Sequence, residues 1–290
     1  MNHGIRLRRI VTAADESDAG RAAVRAGLDL ANRASCTLTV LRTVPGSAVP
    51  EFVTSLGQGP RLPDSRQAAI DRLWQWLAVE VEPLDDRPQL ELAITDGLPG
   101  VEIPRFAEAR DADVLVLGRK QRSPRVRLLL GDTADAVARR SGVPCLFVQP
   151  GTRPIRRVLA ALDGTERGLV VLRSARGFAA SIGAELLTMT VERADPGEPA
   201  DLADALPTGR STHLRARVQD LLGEHQSSGG ALRIRRGAIV DELLAEVTDT
   251  DSDVLAIGYH RGGPPGVIDA GSTARRLAHT APCAVLTIPL

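Results

Sequence analysis

Residues 111–118 read DADVLVLG, and residues 251–258 read DSDVLAIG. A short apolar run that opens on a carboxylate and closes on glycine fits a buried strand of a parallel sheet. Its recurrence, with Gly118 matched to Gly258, implies two copies of one folding unit. Working outward, the series continues in the same order on both sides. RIVTAAD, ending at Asp15, corresponds to VLAALD, ending at Asp163, and Ser17 or Thr165 follows two residues later. Gly131 corresponds to Gly271, and GVPCLFVQP (142–150) corresponds to APCAVLTIP (281–289), pairing Pro144 with Pro282 and Cys145 with Cys283. One such match arises readily by chance, but four in one order do not. The boundary falls in QPGTRP (149–154), giving domains over 1–150 and 154–290.

Within each copy apolar runs alternate with amphipathic segments, the pattern of βαβ crossovers. The expected fold is α/β: two tandem doubly wound, Rossmann-like domains, each a five-stranded parallel sheet with helices on both faces. In the first copy strands are expected near 7–14, 36–44, 89–95, 113–118 and 144–149, with helices near 18–34, 64–81, 99–110 and 132–140. In the second, strands are expected near 156–162, 184–191, 231–236, 253–258 and 283–288, with helices near 166–181, 210–226, 240–250 and 272–279. The Pro-, Gly-, Asp- and Ser-rich stretches 45–63 and 192–209 read as mobile loops after the second strand of each copy.

Composition narrows the function. The 290 residues are 43% hydrophobic and 25% charged, with 36 basic residues balancing 36 acidic ones, so no global field favours nucleic acid or an anionic membrane. No apolar run reaches the roughly 20 residues that span a bilayer, and MNHGIRLRRI lacks a signal-peptide core, so a cytoplasmic location is expected. Cys36, Cys145 and Cys283 form no CxxC or CxxH spacing and read as small buried hydrophobes. The five histidines lack the helical i, i+4 spacing of a zinc site, so no metal site is assigned to protein ligands. Trp74 and Trp76 lie two residues apart on an expected helix, so one should pack on the sheet and the other stay partly exposed. Ser228, Gly229 and Gly230 precede a strand instead of following one, and read as a loop.

Ligands of open parallel sheets collect outside the carboxyl ends of the strands, so the candidates are the residues just after each strand. Asp163 reads equally as a receiver of ribose hydroxyls or a divalent cation and as a helix cap with Thr165. Gly258 is placed at the end of the fourth strand, where it would let a ligand approach the main chain or simply turn the chain. Gly271, Ser272 and Thr273 precede the last helix, whose free N–H groups and dipole attract anions; the alternative is that a hydroxyl there only caps the helix.

With strand-Asp, a fourth strand ending in glycine, a loop of about a dozen residues, Gly-Ser, a helix and a Pro-begun final strand, the chain resembles the universal stress protein family twice over. That resemblance implies an ATP-binding pattern G-x-x-G-x9-G-[ST], with phosphates on the glycine loop and adenine near the ends of the first two strands. The second copy, GYHRGGPPGVIDAGST (258–273), supplies Gly258, Gly271 and Ser272 but has Arg261 at the second glycine, with Gly262 and Gly263 following. By the same resemblance Val191, after the second strand, would touch the base or ribose through its backbone. The first copy, GRKQRSPRVRLLLGDT (118–133), supplies Asp15, Gly118 and Gly131 but has Gln121 at the second glycine and Asp132 at the serine. A carboxylate against phosphate costs on the order of a kcal/mol or more. ATP with Mg2+ is therefore expected in the second copy only.

The loop 119–127 carries Arg119, Lys120, Arg122, Arg125 and Arg127, either a solvated loop or a patch for an anion or partner. The copies are expected to pair through their final strands, which the resemblance also implies, and a further homodimer of the whole chain is a separate expectation. Three functions compete: a nucleotide-sensing regulatory protein, a slow ATP hydrolase, and an interaction protein of the same fold without nucleotide. The first uses every matched feature, and the lack of a convincing nucleophile–base pair argues against an enzyme.

Overall fold

The structure is a computed structural model that describes residues 4–44, 52–55, 64–81, 89–119, 132–192, 213, 216–218, 232–260 and 272–290. The chain forms two compact units, one over Leu7–Pro154 and one combining the N-terminal residues up to Arg6 with Ile155–Leu290.

The first unit runs β1 (Arg9–Ala13), α1 (Asp18–Ala34), β2 (Thr37–Val44), β3 (Phe52–Ser55), α2 (Asp64–Val81), β4 (Gln89–Asp96), α3 (Pro99–Ala109), β5 (Val114–Gly118), α4 (Asp132–Arg140) and β6 (Cys145–Val148). Its sheet order is β3-β4-β2-β1-β5-β6. Five strands are parallel as expected, but β3 pairs antiparallel with β4. The stretch 45–63 is therefore not all loop. Four β-favouring residues, FVTS, are enough to extend the sheet where β4 offers a free edge.

Helix α1 starts where Ser17 Oγ accepts the Gly20 N–H at 3.1 Å and stops where Ser35 turns left-handed at φ 49°. Beneath it Ile10, Leu38, Val116 and Leu146, which share one face of the sheet, are completely buried. Asp113 ties the sheet at its amino edge: Oδ2 accepts the N–H of Arg8 at 2.7 Å and of Arg9 at 2.9 Å.

The second unit runs β7 (Arg157–Leu162), α5 (Glu166–Ser181), β8 (Glu185–Glu192), β9 (Arg233–Arg236), α6 (Ile239–Asp249), β10 (Val254–Tyr259), α7 (Ser272–Thr280) and β11 (Ala284–Pro289). The order is β11-β10-β7-β8-β9, all parallel. Of the helix expected near 210–226, His213 and residues 216–218 are described, and all are helical. Asp253 repeats the role of Asp113, with Oδ2 accepting from Arg156 N at 2.8 Å and Arg157 N at 3.0 Å. The N-terminal segment lies on α5 so closely that a Cβ on Gly177 would meet the Ile5 carbonyl oxygen and one on Gly4 the Arg173 carbonyl oxygen.

The two units differ at a core position of the third helix they share. Phe106 of α3 is fully buried in the first, whereas the corresponding Glu246 of α6 is buried to 2% exposure in the second. Its carboxylate is held by Arg233 Nη1 at 2.9 Å and Arg235 Nε at 2.7 Å. Strand β9, RIRR, thus completes its packing with ion pairs where β4 uses Ala93 and Thr95.

Candidate functional site

Strand β1 lies between β2 and β5, and β7 between β8 and β10, so in each unit the chain reverses its winding there, and the carboxyl ends of these strands form a crevice. In the second unit Leu162 pairs with Thr190 and Ala160 with Ala256, which brings Asp163, Val191 and Gly258 to one edge. Val191 is not beyond its strand as expected. Strand β8 continues to Glu192, and Val191 is paired in register with Arg235. Likewise β10 continues one residue past Gly258, to Tyr259.

Asp163 is exposed and shaped by local bonding. Its Oδ1 accepts from Thr165 N at 3.0 Å and Thr165 Oγ1 at 2.7 Å, and Thr165 Oγ1 accepts from Arg167 N at 3.1 Å as the cap of α5. Its Oδ2 has no partner among the described residues. Gly164, left-handed at φ 76°, makes this turn without a side chain in the crevice. One residue into α5, Glu166 is paired twice with Arg217, whose guanidinium holds the Glu166 carboxyl below its ordinary range. Thr190, beside Val191, is buried and donates to the Leu162 carbonyl at 2.9 Å.

The first unit repeats the cap: Asp15 Oδ1 accepts from Ser17 N at 3.0 Å and from Ser17 Oγ. The surroundings differ. Glu16 stands where the second unit has Gly164, and its carboxylate reaches Arg42 Nη2 of β2 at 3.5 Å, across the ends of the two strands. Thr190 is the residue corresponding to Arg42. The same crevice is thus crossed by an ion pair in one unit, while in the other a glycine and an inward-bonded threonine leave it uncrossed at these positions.

The two strand glycines have packing reasons of their own. A Cβ on Gly118 would sit on the Ala19 carbonyl of α1, and one on Gly258 would meet Leu290 Cδ1 at 2.5 Å and Val171 Cγ2 at 3.2 Å. The helices that follow begin at Asp132 and at Ser272, so Ser272 and Thr273 are already helical, not the residue before the helix. Gly131, Gly271 and the loops containing Lys120, Gln121, Arg122, Arg125, Arg127, Arg261, Gly262 and Gly263 lie outside the described residues, as does the loop at Ser228 to Gly230. Arg119 is described and is 5% exposed, so this member of the basic group is a buried residue and not part of a solvated loop.

Elsewhere, Trp74 and Trp76 are both half-buried, with the Arg21 guanidinium 5.5 Å from the Trp76 ring centroid, in place of the one-in, one-out arrangement expected. Cys36 and Cys145 are buried, while Cys283 is partly exposed. Burial raises the Cys36 thiol to about 11 and the Cys145 thiol to about 12. Among the described residues no helix is long and apolar enough to cross a membrane.

Residues 6–149 and 154–289 each match the universal stress protein family. The chain belongs to this family. No curated protein matches its sequence. A universal stress protein from Archaeoglobus fulgidus DSM 4304 superposes with a TM-score of 0.70 at 17% identity, covering 97% of this chain and 98% of its own. A functionally unknown protein from Pseudomonas aeruginosa PAO1 does so with a TM-score of 0.63 at 19% identity, covering 98% and 92%. At these identities the likeness establishes a shared fold for this universal stress protein.

Its sequence reading missed two local features. The Arg42–Glu16 pair depends on cross-strand register and left no motif. Asp113 and Asp253 did leave one, since each is the third residue of the repeated DxD octet, but the spacing does not show that they accept the N–H groups that open the first strand.

Proposed function

We propose that this universal stress protein is a regulatory nucleotide sensor that binds ATP with Mg2+ in its second unit, without being an enzyme. The observation that carries the reading is the contrast between the two crevices. Asp163 offers a carboxylate oxygen without a partner among the described residues, beside Gly164, whereas the corresponding opening of the first unit is crossed by Arg42–Glu16. In this reading Asp163 Oδ2 receives the ribose or the magnesium ion. The main chain near Val191 and Gly258 faces the nucleoside, and Gly271, Ser272 and Thr273 present the start of α7 to the phosphates. In the first unit α4 begins with the carboxylate of Asp132, which repels phosphate, so Asp15, Gly118 and Gly131 stay without nucleotide.

Calorimetric titration of the full chain with ATP and Mg2+ tests this. One site is expected, lost in Gly271→Val and retained in Gly131→Val, with no ADP accumulating. Two sites, or full binding in Gly271→Val, would show the wrong unit or loop. Steady ADP release would favour a hydrolase, and no binding at all would favour an interaction protein of the same fold.

A further inference from the structure

The amino-terminal edge of the first unit, opposite the strand ends just described, holds a cleft of about 330 Å³ between the sheet and the end of α3. That volume is at the lower end of the roughly 300–1,000 Å³ range of small-molecule sites. Val11, Thr37 and Thr39 form its floor. Register places Arg9 beside Thr37 and Val11 beside Thr39, all on one face of the sheet, with Glu91 of β4 next to Thr39. Arg110 and Asp111, just after α3, form the wall.

The inner polar groups are already committed as donors. Thr37 Oγ1 donates to Gln89 Oε1 at 2.9 Å, and Thr39 Oγ1 donates to Glu91 Oε2 at 3.1 Å, which also accepts from Arg110 Nη2 at 2.8 Å. What the threonine hydroxyls still offer inward is acceptor lone pairs. The mouth is different. Arg9 and Asp111 stand 3.7 Å apart, beyond hydrogen-bonding distance, with side chains 56% and 81% exposed. Neither side chain has a hydrogen bond to any described residue.

The second unit shows what closes this place. There Glu185 replaces Thr37 and accepts from Arg157 Nε at 2.8 Å, while Arg157 Nη1 donates to the Thr250 carbonyl. The arginine is laid down across the strands. In the first unit, Thr37 cannot draw Arg9 inward, so a guanidinium and a carboxylate remain side by side at the rim of a cleft whose floor hydroxyls offer acceptors.

We propose that this cleft binds a free α-amino acid with a hydrogen-bond-donating side chain, its carboxylate on Arg9, its ammonium on Asp111 and its side-chain donor on Thr37 and Thr39. The adjacent opposite charges of the zwitterion match the adjacent opposite charges of the rim, and the inner acceptors select a donor such as a carboxamide. The site is independent of any nucleotide at the opposite edge of the strands.

The probe is L-glutamine, titrated into isotope-labelled full-length protein while backbone amide shifts are followed. Saturable shifts with a millimolar dissociation constant are expected at Thr37, Thr39, Arg110 and Asp111. Glutaramate, which lacks the ammonium, and L-glutamate, which lacks the side-chain donor, should each bind about fivefold more weakly or worse. Arg9→Gln should abolish the shifts. Thr37→Glu, which installs the residue of the second unit, should do the same by drawing Arg9 inward. The rest of each variant's spectrum reports that it remains folded. Shifts that stay linear to tens of millimolar, that persist in Arg9→Gln, or that glutaramate reproduces with equal affinity would overturn the proposal.

Discussion

Replacing Asp253 with alanine removes the carboxylate whose Oδ2 accepts two main-chain N–H groups, Arg156 at 2.8 Å and Arg157 at 3.0 Å, where β7 begins beside β10. Hydrogen bonds to a charged acceptor contribute about 1.5–3 kcal/mol each. Asp253 is 7% exposed, so water reaches the orphaned N–H groups poorly and most of that loss persists. We expect a cost of about 3 kcal/mol for the pair, since the two bonds share one oxygen and do not add fully. For a unit of this size a kcal/mol moves the melting temperature by about 4 °C, so the transition should fall by about 12 °C. Asp113 makes the same bonds at 2.7 and 2.9 Å but is only half-buried, so water can replace it. Asp113→Ala should cost about half as much. Thermal and urea melts of the full chain followed by far-ultraviolet circular dichroism measure both. Asn at position 253 retains a neutral acceptor and should recover part of the loss. A cost below about 1 kcal/mol for Asp253→Ala, or a larger one for Asp113→Ala, would refute the reasoning.

Gly118→Ala should destabilise by more than the roughly 1 kcal/mol that ordinary glycine removal gains in the unfolded state, because its Cβ meets the Ala19 main chain; the same melts with nucleotide absent show that packing alone demands glycine there. Thr188→Val should stabilise by about 1 kcal/mol in urea titration, since the Thr188 hydroxyl is buried without a partner among the described residues. Cys36 and Cys145 are raised to about 11 and 12 in the fold from an ordinary 9.0, so their contribution is complete below pH 9 and fades as pH climbs toward those values. Urea midpoints should therefore drop as the pH is raised from about 9 toward 11, less so in Cys145→Ala, and a thiol reagent should label the partly exposed Cys283 before the other two.

The readings of 18–34, 64–81, 132–140 and 166–181 coincide with α1, α2, α4 and α5. For α1 and α5 the caps Ser17 and Thr165 mark the start. Strand limits moved by one or two residues because an apolar run does not mark where pairing stops: Val191 and Gly258 were placed at strand ends and lie one residue inside them. Strand β3 escaped because four residues within a Pro- and Gly-rich stretch carry too little periodicity to register. At the site, the Asp-x-Ser/Thr cap was legible because its bonds are local. The ion pair of Arg42 and Glu16 joins residues brought together by strand register, and the cleft at Arg9 depends on where the end of α3 comes to rest. Neither has a signature in one dimension.

The repeat also separates what the fold needs from what it can vary. Asp113 and Asp253 keep the same bonds, as do Asp15 with Ser17 and Asp163 with Thr165, because each satisfies main-chain groups that every copy of this sheet must satisfy. The core varies only in compensated sets. Thr12 faces Val40 in one unit and Ala160 faces Thr188 in the other, so a single hydroxyl is buried at each place. Phe106 gives way to Glu246 only in the unit where Arg233 and Arg235 supply the opposing charge. The differences outside the core lie at the rims of the sheet: Glu16 against Gly164 at the carboxyl edge, and Thr37 against Glu185 at the amino edge. Neither exchange is required by packing. Each opens one edge in one unit and closes it in the other, the carboxyl edge open in the second and the amino edge in the first. A duplication free to vary at its rims in this way can give its two copies different ligands while both remain the same fold.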